Sequence, residues 1–499
     1  MIEMTLREIA DVVGGELHDV PDPQALVTGS VEFDSRRIGS GDLFLALPGA
    51  TSDGHDFAAN AVAAGAVAVL AARPVGVPAI VVGPELGSVP ATSVALSHDS
   101  DGSGAAVLAA LAELARVSTE RLAERTGLTV VGVTGSSGKT STKDLLAAVL
   151  APLGPVVAPP GSFNNELGHP WTALRADADT RFLALELSAR GPGHIAALAR
   201  IAPPRIGVVL NVGTAHLGEF GSREAIAQTK GELVEALPAD GLAVLNADDP
   251  NVAAMASRTK ARVVLVGLSG DADIRATDVV TDDQARARFT LHAGGQSVPV
   301  QLAVHGEHQV GNALSAAAVA LECGADLATI AAALSGATAA SARRMDVRTT
   351  AAGVTVINDS YNANPDSVRA ALKALVTLAK AGEEPRRSWA VLGEMGELGD
   401  TSVIEHDAIG RLAVRLDVDR LIVVGTGRPS RGMHQGAVME GSWGEESILV
   451  PDIDAAIALL DDEIAAGDVV LVKASKAVGL WAVAEHLTRA GEGSTEATR

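Results

Sequence analysis

One short segment constrains the fold of this chain more than any other: residues 133–141 read Val-Thr-Gly-Ser-Ser-Gly-Lys-Thr-Ser. An apolar run at 128–133, typical of a buried strand, precedes it, and a helical pattern at 142–150 follows it. Strand, glycine-rich loop and helix in this order predict a phosphate-binding loop in an α/β domain. The alternative is a plain glycine turn, but a turn has no need of Lys139 and Thr140 at the start of the helix.

The residue types in the loop indicate how a polyphosphate would bind. Backbone N–H groups and the helix N-terminus would point at the phosphates, and the glycines would let the backbone approach them. Lys139 can neutralise the terminal phosphates, and Thr140 can hold a Mg²⁺. The general pattern has glycine five residues before Gly138, where this chain has Val133, so the loop is a shorter variant. The predicted nucleotide-binding residues of the loop are Gly135, Ser136, Ser137, Gly138, Lys139, Thr140 and Ser141.

The length of 499 residues is too great for one hydrophobic core, so we expect several α/β domains. A polar stretch at 97–104 and a second series of apolar strands from about Ser341 predict boundaries that divide the chain into 1–100, 101–340 and 341–499. Strands alternate with helical patterns in the second block, which predicts a parallel sheet covered by helices. The same alternation predicts a second, smaller α/β domain in the third block.

The composition argues against some classes of partner. The net charge of −22 argues against nucleic acid, so local cations and metal ions must hold any anionic substrate. Cys323 is the only cysteine, which indicates a reducing compartment and no internal disulfide. The first residues do not resemble a signal peptide, and the most apolar stretch, from Ala61, is interrupted at Arg73. We therefore expect a cytoplasmic protein without membrane insertion.

Polar side chains follow two predicted strands of the second block. Glu186 ends an apolar run at 182–185, and His216 follows another at 206–210. Ligands of open α/β sheets lie at the carboxyl ends of strands, so both side chains would lie near the phosphate loop, where Mg²⁺ needs ligands. A solvated glutamate and a structural histidine are the alternatives. Lys230 lies in a helix predicted over 222–237, and the residues by themselves predict only a solvated charge there.

Two further polar positions allow more than one interpretation. Asn312, near the start of an alanine-rich helix, could contact a nucleotide base or merely cap the helix. The segment 358–367 in the third block contains the only tyrosine, Tyr361. A turn and a helix cap account for residues 364–367 but leave the polar residues before them unexplained.

The first block contains two short polar segments. Asp34, Ser35 and Arg36 form one of them, and Asp53 and His55 belong to the other. Arginine with serine suits a diphosphate, whereas solvated loops are the alternative interpretation.

Together these motifs resemble the Mur ligase family of peptidoglycan synthesis over nearly the whole chain. Residues 134–140 have that family's form of the phosphate loop, which accounts for Val133, and segments within 34–57 resemble its UDP-sugar-binding domain. Segments 164–168 and 359–365 are typical of the member that joins D-alanyl-D-alanine to UDP-N-acetylmuramoyl-tripeptide. The resemblance implies three domains: a UDP-binding domain, a central ATPase domain and a C-terminal Rossmann-like domain. We also expect a monomer.

The resemblance implies a role for each matching position. Lys139 and Thr140 would bind ATP and Mg²⁺, and Glu186 and His216 would be metal ligands. Lys230 would carry a carbamate and hold a second Mg²⁺. These residues form the predicted catalytic and metal-binding set: Lys139, Thr140, Glu186, His216 and Lys230. The predicted adenine and nucleotide contacts are Asn312 and Asp359, and the predicted substrate contacts are Asp34, Ser35, Arg36, Asp53, His55, Asn164, Asn165, Tyr361, Asn362 and Asn364.

The sequence departs from the family pattern in two places, at 188–194 and at 473–476, which read Ser-Ala-Arg-Gly-Pro-Gly-His and Lys-Ala-Ser-Lys. Rival interpretations are another Mur-type ligase, the more distant folylpolyglutamate synthetase, and a nucleotide-binding protein without catalysis. The enzyme that adds the third residue commonly carries Asp-Asn-Pro-Arg, whereas residues 362–366 read Asn-Ala-Asn-Pro-Asp. The UDP-type first block disfavours the synthetase, and the retained Lys139, Glu186, His216 and Lys230 disfavour loss of catalysis.

Overall fold

The computed structural model describes residues 1–49, 52–83, 96, 99–159, 161–214, 217–382, 384–441, 444 and 446–490. Within these residues the chain forms sheets of five, nine and six strands in that order, and one small two-stranded sheet. No described helix is long and apolar enough to cross a membrane.

The first sheet is small and mostly parallel, in the order β2-β7-β6-β5-β4, with β2 antiparallel to β7. Its elements, with the separate antiparallel pair β1 and β3, are β1 Met4–Thr5, α1 Leu6–Val13, β2 Glu16–His18, β3 Leu26–Val27, β4 Val31–Glu32, β5 Leu43–Leu45, α2 Ala58–Ala64, β6 Ala68–Ala71 and β7 Ala79–Val81. Helix α1 begins with a capping box between Thr5 and Glu8 and ends at Gly14, whose φ is +62°.

The second sheet has nine strands in the order β16-β15-β14-β13-β12-β11-β8-β10-β9. Its strands are β8 Thr129–Thr134, β9 Val156–Val157, β10 Phe182–Glu186, β11 Ile206–Val209, β12 Leu242–Asn246, β13 Arg262–Gly267, β14 Ile274–Thr281, β15 Arg286–Ala293 and β16 Gln296–His305. Its helices are α3 Ser103–Thr126, α4 Lys139–Leu150, α5 Gly168–Ala173, α6 His194–Ile201, α7 Leu217–Phe220, α8 Arg223–Lys230, α9 Glu232–Glu235, α10 Pro250–Ala253, α11 Gln309–Glu322 and α12 Leu327–Gly336. Strands β8 to β14 pair in parallel, and β14, β15 and β16 pair antiparallel at one edge.

The third sheet has the order β17-β18-β22-β19-β20-β21, with only β17 antiparallel to its neighbour. Its strands are β17 Asp346–Thr349, β18 Thr355–Asn358, β19 Ser388–Leu392, β20 Arg420–Val424, β21 Ser447–Val450 and β22 Val469–Lys473. Its helices are α13 Pro365–Ala379, α14 Ser402–Arg415, α15 Arg428–Glu440, α16 Ile453–Glu463 and α17 Trp481–Ala490.

The strands β8, β10, β11 and β12 in the parallel part of the central sheet are buried on both faces, which explains why they read as continuous apolar runs. Val131 and Val133 of β8 pack with α4 and α11 in one cluster, whereas Val130 points into a second cluster on the opposite face. The predicted α/β class and the parallel core of this sheet are confirmed.

Two details differ from the sequence-based expectations. The antiparallel strands β14 to β16 extend the predicted parallel sheet, and the helix predicted over 222–237 is two helices that meet at Gly231. A residue distant in the chain stabilises the break, because the Arg258 guanidinium donates to the carbonyls of Ala227 and Gln228. Those carbonyls lie in the last turn of α8, where helix ends need outside partners.

Candidate active site

The phosphate loop has the geometry that its glycines predict. Gly138 has a φ of +84°, and a Cβ there would lie 2.7 Å from Asn312 Oδ1, so only glycine fits without displacing that side chain. The segment after β11 supports the loop from one side. Asn211 Oδ1 accepts from the Ser137 N–H at 2.9 Å, and the Gly213 N–H donates to Ser136 Oγ at 2.9 Å.

Lys139 begins α4 with its side chain folded back over the loop, where Nζ donates to the Gly135 carbonyl. Burial lowers the pKa of Lys139 to about 8, with Glu186 opposing the shift and Arg344 adding to it. A bound polyphosphate would favour the charged form of this lysine, because anions stabilise an ammonium group.

Glu186 lies at the carboxyl end of β10, in register with Val133 of β8, so the sheet brings it beside the phosphate loop. Its side chain is 2% exposed. Oε2 accepts from Ser162 Oγ at 2.9 Å and from Asn164 Nδ2 at 3.2 Å, whereas Oε1 is buried without a hydrogen-bond partner. A buried carboxylate oxygen without a hydrogen-bond partner costs folding free energy. Carboxylate oxygens are also ligands that Mg²⁺ prefers. Glu186 and the Thr140 hydroxyl therefore fit a Mg²⁺ site.

Lys230 is the last residue of α8 and is 7% exposed. Burial lowers the pKa of Lys230 well below its usual range, and the charge of Lys139 lowers it further. Among the residues that the structure describes, no carboxylate forms an ion pair with Lys230. The predicted ligand His216 lies outside the described residues, and within them no group of three histidine, cysteine, aspartate or glutamate side chains could hold a metal ion.

Arg344 belongs to the C-terminal block but reaches the phosphate loop. Its Nη2 donates to Thr140 Oγ1 at 3.2 Å, and its guanidinium lies 4.1 Å from the centroid of the Tyr361 ring. Sequence reasoning missed this residue. The only signal was the pair Arg343-Arg344 just after Ser341, and a pair of arginines is usually a solvated surface feature.

Buried contacts with Lys473 hold the polar segment that follows β18. Asp359 Oδ2 pairs with Lys473 Nζ at 2.5 Å, and Lys473 also donates to the Asn362 carbonyl at 2.9 Å. Burial lowers the pKa of Lys473, with the charge of Asp359 opposing the shift. Asn364 caps α13 and also donates from Nδ2 to the Ser136 carbonyl at 3.4 Å. The cap and the contact with the phosphate loop are thus made by one side chain.

A cavity of about 1100 Å³ lies between the central and C-terminal blocks. It collects most of the predicted site residues, namely Ser136, Ser137, Gly138, Lys139, Thr140, Ser141, Asn164, Asn165, Asn312, Asp359, Tyr361, Asn362 and Asn364. Arg190 also lines the cavity and donates to Glu397 Oε1 of the C-terminal block at 2.9 Å. It belongs to the segment 188–194, whose sequence differs from the family pattern.

The predicted contacts in the first block do not line this cavity. Asp34 forms an ion pair with Arg36 at 2.7 Å, and a short 3₁₀ turn begins at Ser35 between them. Asp53 binds His55 Nδ1 at 2.6 Å and Arg73 at 2.7 Å. The structure therefore gives these side chains local partners and does not bring them to the phosphate loop.

In this structure an arginine from another part of the chain covers the phosphate loop. Such closure keeps water away from a phosphoryl group while it is transferred. The fold and the site therefore define a class of protein, a multidomain phosphate-loop protein with a cavity between its central and C-terminal blocks. Three family models match in chain order: "Mur ligase family, catalytic domain" over 29–116, "Mur ligase middle domain" over 133–320 and "Mur ligase, glutamate ligase domain" over 343–476. The chain belongs to the Mur ligase family.

Curated relatives and solved structures match nearly the whole chain. The UDP-N-acetylmuramoyl-tripeptide--D-alanyl-D-alanine ligase of Mycobacterium tuberculosis (strain H37Rv) is 62% identical over 98% of this chain and 98% of its own. The Escherichia coli K12 protein of the same name is 31% identical over 98% and 100%. MurF from Acinetobacter baumannii superposes with a TM-score of 0.81 at 30% identity, covering 98% of this chain and 99% of that one. MurF ligase from Thermotoga maritima, solved in complex with ADP, gives a TM-score of 0.72 at 29% identity over 93% and 98%.

Proposed function

We propose that this chain joins D-alanyl-D-alanine to the terminal carboxylate of UDP-N-acetylmuramoyl-tripeptide, with ATP converted to ADP and phosphate. The observation that carries the proposal is the phosphate loop beside the unpartnered Oε1 of Glu186, at a cavity that the C-terminal block closes. The names of relatives that match nearly all of the chain supply the substrates.

In the first step the tripeptide carboxylate attacks the γ-phosphate of ATP and forms an acyl phosphate with release of ADP. Two anions must approach each other, so cations have to offset their repulsion. Lys139 donates to the Gly135 carbonyl of the phosphate loop, and Arg344 donates to Thr140 Oγ1 at the start of α4. These two cations would carry that charge from the protein. A Mg²⁺ held by Thr140 and Glu186 would neutralise phosphoryl oxygens.

In the second step the amine of D-alanyl-D-alanine attacks the acyl carbon, and the tetrahedral intermediate collapses with loss of phosphate. Water would hydrolyse the acyl phosphate in competition with the amine, so the reaction needs a closed site. The contacts that Arg344, Asn364 and Arg190 make between the central and C-terminal blocks support such closure.

Lys230 would react as its neutral amine with CO₂, forming an N–C bond and releasing one proton, to give a carbamate. Its burial and its lowered pKa favour the neutral amine that this reaction requires. A carbamate is anionic, so it would hold a second Mg²⁺ where an ammonium group would repel one. His216 would be a further metal ligand.

The remaining assignments follow the same proposal. Asn312 and Asp359 would contact the nucleotide, and Asn164, Asn165, Tyr361, Asn362 and Asn364 would line the path of the peptide substrates. Asp34, Ser35, Arg36, Asp53 and His55 would bind the UDP moiety in a separate N-terminal unit. We propose domains at 1–100, 101–340 and 341–499, and a monomeric enzyme that works in the cytoplasm.

The rival candidates are a Mur-type ligase that adds the third residue and a nucleotide-binding protein without catalysis. The sequence Asn-Ala-Asn-Pro-Asp at 362–366 disfavours the first. An unpartnered Glu186 oxygen beside the loop disfavours the second, since a protein without metal chemistry gains nothing from that cost.

The test is an incubation of the purified chain with ATP, Mg²⁺, UDP-N-acetylmuramoyl-tripeptide and D-alanyl-D-alanine. We expect the UDP-linked pentapeptide by mass spectrometry. Repeated turnover of ATP to ADP should require both the tripeptide and the dipeptide, because without the dipeptide the reaction stops at the acyl phosphate. Omission of the dipeptide and replacement of the tripeptide by UDP-N-acetylmuramoyl-dipeptide plus a diamino acid are the controls. Absence of pentapeptide, or product only in the second control, would overturn the assignment.

A further inference from the structure

The segment 341–345, here called the hinge segment, connects the central block to the C-terminal block and carries Arg344. Its first residue, Ser341, is bound to the side of α4. The Ser341 N–H donates to Asp144 Oδ2 at 3.0 Å, and its hydroxyl donates to Asp144 Oδ1 at 3.1 Å. The same hydroxyl accepts from the Gly161 N–H at 3.0 Å. Ser341 is thus buried, and its N–H and its hydroxyl are both hydrogen-bonded.

Asp144 is itself fixed in place. Lys143 Nζ pairs with Asp144 Oδ1 at 2.8 Å and also donates to the carbonyls of Pro159 and Gly161. Both side chains of this pair are buried, so neither can leave without stranding the other charge. The pair therefore forms a rigid anchor on α4 for the hinge segment.

The backbone of the hinge segment is strained. Arg343 and Met345 have φ values of +61° and +49°, which residues with side chains adopt only when their surroundings impose them. The C-terminal block imposes them here. The Tyr361 N–H donates to the Arg343 carbonyl at 3.2 Å, and the Met345 N–H donates to Asp359 Oδ1 at 3.1 Å.

The strained residues flank Arg344, whose side chain returns to the phosphate loop. Arg344 donates its hydrogen bond to Thr140, and Ser341 is anchored by Asp144. Thr140 and Asp144 are four residues apart on α4, so they lie on one face of that helix. The hinge segment therefore runs along that face, fixed by Asp144 at one end and by the C-terminal block at the other.

We propose that Ser341 and Asp144 are positioning residues, which hold Arg344 against the phosphate loop and so raise the affinity for the nucleotide triphosphate. The inference rests on the proposed function only for the role of Arg344 toward ATP. Neither positioning residue lines the cavity between the two blocks. Removal of the Ser341 hydroxyl would loosen the hinge segment and let the strained backbone relax, so Arg344 would spend less time at Thr140.

The experiment is a double-mutant cycle in nucleotide affinity. Wild type, Ser341→Ala, Arg344→Met and the double variant are titrated calorimetrically with Mg²⁺ and a non-hydrolysable ATP analogue. We expect Ser341→Ala to weaken binding about tenfold, because the charge-assisted contact between Arg344 and the nucleotide would be largely lost. In the Arg344→Met background the same change should have almost no effect, because no arginine remains to be positioned.

Three further measurements complete the test. Asp144→Asn removes the anchoring charge from the helix side and should reproduce the loss seen with Ser341→Ala. Ser335→Ala, which alters an exposed serine of α12, is the matched control and should bind as wild type does. Unchanged affinity in Ser341→Ala, or an equal loss in both backgrounds, would overturn the inference. The titration requires no acceptor substrate, so its outcome is separate from that of the pentapeptide assay.

Discussion

At the scale of single residues, the site contains buried ionisable side chains whose polar atoms are not all paired within the protein. Glu186 has one satisfied and one unpartnered oxygen, and Lys230 is buried without an ion pair among the described residues. An unpartnered buried oxygen such as Glu186 Oε1 costs folding free energy, of the order of 1–3 kcal/mol. A ligand that completes it regains that cost on binding, which suits this position to a metal ion. The burial of Lys230 instead favours the neutral amine that carbamate formation requires.

Replacement of Lys230 tests the carbamate. We expect Lys230→Ala to lower kcat by more than the roughly 10–100-fold that loss of an outer metal partner causes, because a ligand is lost. Millimolar acetate or propionate should restore part of the activity by supplying a carboxylate in the vacated space. Steady-state kinetics with and without the added acid provide the measurement. Lys260→Ala, at an exposed lysine, is the control, and full activity in Lys230→Ala would contradict the carbamate role.

At the scale of elements, local sequence predicted those parts whose chemistry is local. Strands β19 and β20 belong to the series of apolar strands that the sequence predicts for the third block, because each is an apolar run buried along nearly its whole length. Strands β14 to β16 were not predicted. Their burial alternates along the chain, as in β15, so they lack continuous apolar runs. The split of helix 222–237 depends on Arg258, which lies too far along the chain for a helical pattern to reveal.

Helix α7 of the central block contacts the segment 397–399 of the C-terminal block. Gly218 of α7 donates its N–H to the Glu397 carbonyl at 3.1 Å, and a Cβ on Gly399 would lie 2.7 Å from the Gly218 Cα. A Cβ on Gly218 would in turn press on the backbone of Gly399. The contact therefore requires that neither position carries a side chain.

Gly218→Ala should separate these elements and weaken closure of the site. We expect kcat/KM for ATP to fall about tenfold or more, since a misplacement of about 1 Å far from the chemistry can cost 100-fold. The unfolding midpoint should stay near that of wild type. Small-angle scattering with bound nucleotide should show a larger radius of gyration. Gly270→Ala, at a glycine with open space around it, is the control. Wild-type kinetics in Gly218→Ala would show that the contact is dispensable.

At the scale of the whole molecule, helix α3 unites parts of the chain that the sequence assigns to different domains. Leu111 of α3 packs in one cluster with Leu45 of the first sheet and with Val130 and Leu183 of the central sheet. The helix begins at Ser103, close to the proposed boundary at residue 100, yet its apolar surface serves both sides of that boundary. We therefore expect the first two blocks to be thermodynamically coupled.

Leu111→Ala tests this coupling. A buried leucine truncated to alanine costs about 2–5 kcal/mol, through lost burial and the cavity that remains. Because both blocks share the cluster, calorimetry should show the unfolding transitions of both moving to lower temperature together. Leu268→Ala, at a leucine that is 52% exposed, should leave the transitions in place. A shift confined to one transition would mean that α3 stabilises only one block.

The sequence by itself determined the phosphate loop, the parallel core of the central sheet and the family. Each depends on local chemistry: the conformational freedom of Gly138, the cation at the start of α4, and apolar runs that must be buried. Only the tertiary structure decided how the site is closed. Arg344 meets Thr140 across 204 positions of the chain, and Ser341 meets Asp144 across 197. No local pattern encodes such contacts, because they depend on how two separately stabilised sheets pack around one cavity.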